Sequence, residues 1–159
     1  MHSQDIFSFI SGWLQPSAAS PSADFANALF RIGLGGLIFS VHGVHKLKGA
    51  LTFLRNGQPW PLEREVAEIH APFPFASALA ATVVQFVGGI LLILGLITRP
   101  AALILTATLG VAVYQNLATR RDPQLAVLYV LGVAMLAVWG GGRYSLDAIL
   151  WLPAGGLHP

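Results

Sequence analysis

Residues 75–97 read FASALAATVVQFVGGILLILGLI, 23 consecutive positions without a formal charge. A bilayer's hydrocarbon core of roughly 30 Å takes ~20 helical residues to cross. The stretch therefore has the length and composition of a membrane-spanning helix. On either side of it lie three more apolar stretches, Phe25–Val44, Pro100–Ala118 and Leu125–Trp139. Arg31 is the one full charge inside any of the four, close to a helix start. The predicted fold is all-α: a transmembrane four-helix antiparallel bundle with short interfacial amphipathic helices.

Composition supports lipid as the solvent. The 159 residues are 55% hydrophobic and 10% charged, with a mean hydropathy of +0.67. A soluble domain carries about a quarter charged residues. The length suits one bundle, divided as residues 1–24 (interfacial helix and linker), 25–150 (the bundle) and 151–159 (a tail). A net charge of +2 rests on few groups and gives no argument for nucleic acid. Cysteine is absent, so this chain by itself supplies no thiol–disulfide chemistry, iron–sulfur ligands or thiolate metal ligands.

The first residues lack the basic region of a cleavable signal peptide. Instead Ile6, Phe9, Ile10, Trp13 and Leu14 recur on one helical face, as in a helix lying in the membrane interface. Pro16–Asp24 reads as a linker. The longest connection, Lys46–Pro74, holds most of the charge, and Pro61 followed by Leu62, Val66 and Ile69 predicts a second amphipathic helix over Pro61–His70. Thr98–Pro100 and Thr119–Pro123 are tight turns, which make neighbouring helices antiparallel. Six of the nine Lys and Arg residues (Lys46, Lys48, Arg55, Arg64, Arg120 and Arg121) fall in the first and third connections. The positive-inside rule then places those loops in the cytoplasm and both termini outside. Gly33, Gly36, Ser40 and Gly43 on the first span, with Gly88, Gly89 and Gly95 on the second, mark close helix packing or a seam between copies.

Helix reversal gathers polar groups at one end. His42 and His45 end the first span; Tyr114 and Gln115 end the third; Gln124 and Tyr129 begin the fourth, and Lys46 and His70 lie at the same level. Gln85 falls near the middle of the second span, where a buried amide needs a partner or a ligand. His42, His45, Gln85, Tyr114, Gln115 and Gln124 are the candidate lining of a pocket for a quinone headgroup or another small polar molecule. The same side chains also fit an interfacial belt. His42 and His45 have weak metal-ligand spacing, with no carboxylate fixed beside them. At the opposite end, Arg31 is expected to pair with Asp147, and Ser145 to cap a short helix from Leu146.

Four segments together carry a resemblance: Arg31–Gly36 with Phe39, His42–Leu47, Gly88–Arg99, and Gly140–Asp147 (GGGRYSLD). In order and spacing, from about Leu29 to Leu150, the chain resembles the DoxX family of small four-helix membrane proteins. The resemblance implies a multi-pass protein of the bacterial inner membrane with a link to redox complexes. Some relatives look like membrane subunits of thiosulfate:quinone oxidoreductase, and others look like anchors for soluble oxidoreductases. It also implies a glutamate before the glycine pair of the second span, where this chain has Gln85. A neutral amide is neither acid nor base. The expectation is an accessory or anchor subunit of a larger, redox-linked membrane complex, bound to protein partners or to copies of itself. The alternatives are a quinone-interacting subunit of an oxidoreductase and, behind it, a small-molecule permease. Whether the chain is itself an enzyme stays open.

Overall fold

The computed structural model describes residues 20–70 and 72–151. The amphipathic Ile6–Leu14 segment, the first part of the linker and the tail beyond residue 151 lie outside the described residues. The fold is helical. Helix α1 spans Pro21–Leu37, passes into a π-helical segment Ile38–Val44 and continues as α2, His45–Asn56. Then come α3 (Pro61–Glu68), α4 (Pro74–Leu94), α5 (Thr98–Ala118), α6 (Gln124–Trp139) and α7 (Leu146–Trp151). The continuous helix Pro21–Asn56, α4 and α5 are each long and apolar enough to cross a membrane, and α6 is a shorter apolar helix. At 1.5 Å per residue, α4 and α5 are each about 31 Å long, close to the hydrocarbon thickness.

The first helix departs from the sequence reading at both ends. It starts at Pro21, inside the expected linker, because Ser20 accepts the backbone N–H of Ala23 (3.4 Å) and Pro21 takes the first turn. It also runs twelve residues past Val44, through what reads as the long connection. Lys46, Lys48 and Arg55 interrupt the hydropathy, but Lys, Arg, Leu and Ala are good helix formers. Ala50 and Phe53 pack against Trp60, Phe75 and Ala78, which holds this half in place. Gly57, at φ 64°, stops it, its N–H bonding Phe53 O at 2.9 Å. The real connection is therefore four residues, after which α3 forms as predicted behind Pro61.

The core is made of Ile38, Leu92, Leu105, Leu109, Val133 and Leu136. Around it α1 and the π segment pack on α4, α4 on α5, and α5 on α6, with Leu34 and Phe30 of α1 facing Gly132 of α6. Leu29, Ile104, Val111, Leu128, Leu131 and Val138 stand exposed on the outside, an apolar perimeter suited to acyl chains. Close approach depends on particular glycines. A methyl on Gly43 would lie 2.8 Å from Phe86 Cα, and one on Gly89 2.9 Å from the Phe39 backbone. A methyl on Gly33 or Gly36, read as part of the same stripe, would meet nothing within 4 Å among the described residues, so both open outward. Gly35 replaces them at the α4 crossing, where a methyl would lie 3.0 Å from Gly89 O.

Candidate functional site

The polar groups of the bundle divide between its two ends, and the two ends do different work. At the end with α7, Arg31 is buried to 1% exposure. The expected Arg31–Asp147 ion pair is not formed. Arg31 Nη1 instead donates to Leu92 O and to Ile93 O (2.8 Å), and Nη2 donates to Tyr144 O at 2.8 Å. Asp147 accepts the N–H groups of Ile97 (2.6 Å) and Thr98 (2.8 Å). Both groups find backbone first because the α4–α5 turn lies between them. That turn leaves carbonyls at the end of α4 and amides at the start of α5, and each charge meets the helix end of opposite dipole. Ile97 sits at φ 44°, a strained position for a β-branched residue, and the Asp147 bond holds it there. Gly95 (φ 68°) leaves no space for a side chain, since a methyl would lie 2.6 Å from Ser145 Cβ. Ser145 Oγ accepts from Ala148 N (3.2 Å) and so starts α7, as its sequence position predicts. This end is a structural clasp.

The other end holds a cavity. Its smaller lobe, about 240 Å³, is bordered by His42, Lys46, Glu65, Gln85, Gln115 and Tyr129. Each helix contributes for a local reason. The π segment widens the turn at the end of the first span and aims His42 inward, where its ring meets Tyr129 edge-on at 5.1 Å. Such π turns recur at functional sites. Gln85 comes from α4 at 1% exposure and Gln115 from the last turns of α5 at 8%. Gln115 Nε2 donates to Glu65 Oε2 (3.4 Å), and Arg121 Nη1 donates to Glu65 Oε1 (3.0 Å). Helix α3 is thereby tied across the cavity to the α5–α6 turn.

Of the six candidate pocket residues, the structure brings His42, Gln85 and Gln115 together on this cavity. His45, Tyr114 and Gln124 are exposed and do not line it. His45 lies three residues from His42 but stands exposed, while His42 is half-buried on the cavity. Gln124 sits at the start of α6, its N–H bonded to Asp122 Oδ1 at 2.9 Å. Glu65 was missed as a pocket residue. Its position on the same helix as Leu62 and Val66, which face the bundle, was the available signal.

Two buried atoms here have no hydrogen-bond partner among the described residues: His42 Nε2 and Gln85 Oε1. Together with the Lys46 ammonium and the Tyr129 phenol, they offer a mixed set of donors and acceptors to whatever enters. Such a set can orient a small planar polar group and exchange hydrogen bonds with it.

No curated protein matches the chain, and no solved structure does. A family model described as DoxX matches residues 26–118, more than half of the chain, taking in the first three spans and ending before the Gly140–Asp147 element. This chain is a multi-pass membrane protein and belongs to the DoxX family.

Proposed function

We propose that the protein is an accessory membrane subunit of a redox-linked complex and that its polar cavity holds a quinone headgroup. One observation carries this reading. Among the described residues, His42 Nε2 and Gln85 Oε1 are buried without partners on a cavity that also presents Lys46. In a hydrocarbon surrounding, an unsatisfied polar atom costs several kcal/mol. A ligand hydroxyl, as in the reduced quinol, donates to Gln85 Oε1 and removes the cost there, while a ligand carbonyl accepts from a donor such as Lys46. The chain has no cysteine, so iron–sulfur or dithiol chemistry would have to come from a partner. That favours a role in binding and placing the quinone over a complete enzyme.

The cavity end carries the α2 cations and Arg121, and by the positive-inside rule it faces the cytoplasm of a bacterial inner membrane. The open Gly33, Gly36 and Ser40 face of the first span is where a helix of a neighbouring subunit would approach closely.

Titration with a short-chain quinone analogue tests the reading. At a hundredfold excess over Kd, binding to the folded state alone stabilises by about 2.7 kcal/mol. The wild-type protein is expected to show the corresponding rise in melting temperature, and His42→Ala to lose most of it. A saturating analogue that leaves the wild-type curve in place removes the proposal.

A further inference from the structure

The cavity has a second lobe, and it is not polar. This larger lobe, about 360 Å³, shares Lys46, Leu62, Gln85, Ala112 and Gln115 with the smaller one, so the two lie side by side with these residues at their boundary. Beyond that boundary its walls are Val66 of α3, Ala81 and Val84 of α4, and Thr108 and Val111 of α5. Its two hydroxyls are spent on nearby carbonyls. Ser77 Oγ donates to Pro72 O at 2.7 Å, and Thr108 Oγ1 to Ile104 O at 2.9 Å. The wall is therefore apolar in effect, while the boundary presents the 1%-exposed Gln85, whose Oε1 has no partner among the described residues.

The location of the lobe sets what can reach it. Ala80 and Val111 at its margin are exposed on the outer flank of α4 and α5, two helices that cross the hydrocarbon. Helix α3 roofs it, with Leu62 and Val66 turned down and Arg64 and Glu68 turned out. The mouth thus opens toward acyl chains, below the level of the roof.

We infer that the ligand is a single-tailed amphiphile that enters sideways from the bilayer, between α4 and α5 and beneath α3. Its tail lies in the larger lobe and its neutral head reaches past Gln85 into the smaller one. The inference deepens the quinone reading and rests on it. A headgroup arriving from water would make no use of the apolar lobe. A phospholipid is disfavoured because Glu65 and Asp122 border the polar lobe beside Lys46, and carboxylates repel a phosphate. A tail already dissolved in lipid gains little by moving to an apolar wall, so the larger lobe supplies a route and a register more than affinity.

Two probes in nanodiscs test this: a benzoquinone with a diazirine on an alkyl tail, and the same ring without a tail. Photolabelling of the wild type by the tailed probe is expected on Ala80–Val84 or Thr108–Ala112. Ala81→Phe fills the lobe and should cut that labelling roughly tenfold, while the tail-less ring still raises the melting temperature. Thr108→Leu, on the facing helix, serves as the second blocking variant should Ala81→Phe fail to fold. Adducts confined to Leu125 and Ala126, or labelling undiminished in every folded blocking variant, would overturn the lateral route and leave the headgroup site standing. Failure of the wild type to bind either probe ends both readings.

Discussion

Arg31→Leu is expected to lower the melting temperature of the detergent-solubilised protein by roughly 5–15 °C, on a loss of about 2–4 kcal/mol. The guanidinium is buried and serves the carbonyls of Leu92, Ile93 and Tyr144. It closes the end of α4 and pins the segment after α6 in one contact set. Leucine fills some of the volume but leaves Ile93 O and Tyr144 O without the bonds that Arg31 makes. A cation near the carbonyl end of a helix is also favoured by the dipole. Arg31→Lys keeps the charge and loses the planar fork that reaches two separate segments, so its loss should be intermediate. Equal melting temperatures for wild type and Arg31→Leu would show that the clasp contributes nothing.

The second large effect runs in the opposite direction for stability. Gln85→Leu is expected to stabilise the ligand-free protein by about 1–2 kcal/mol, because it removes a buried acceptor with no partner. The same change should abolish the quinone-induced shift. A residue kept for packing does not behave so; a residue kept for binding does, at a cost in stability. The check is a pair of melting curves, with and without analogue, for wild type and variant in the same detergent. Lower apo stability in Gln85→Leu would mean that the amide is satisfied in the folded protein and has a structural role.

Much of the architecture was legible because lipid leaves few options. Backbone groups in hydrocarbon must be satisfied internally, so long uncharged stretches become helices whatever their partners. Their order and short turns then determine which ends meet. His42, Gln85 and Gln115 could be placed near one another by counting reversals alone. What hydropathy could not show is where a helix stops once it becomes amphipathic. The stretch from His45 to Asn56 is helical for reasons of propensity and of packing on Trp60 and Phe75, and neither leaves a hydropathy signal. The π segment is a tertiary outcome as well, and it carries His42 to the cavity while His45, just past it, stands exposed. The clasp was misread for a different reason. Opposite charges invite pairing on paper, but the carbonyls of Leu92 and Ile93 and the amides of Ile97 and Thr98 belong to every sequence and so mark none.

The cavity matters more than the clasp for function, and occupancy is its most direct test. Native mass spectrometry of the protein released from nanodiscs made with its own membrane lipids reads occupancy without any added ligand. The wild type should arrive with a single bound quinone, and Gln85→Leu should arrive without it. A wild-type protein that carries only phospholipid, or none at all, or a variant that retains the quinone in full, would contradict the account.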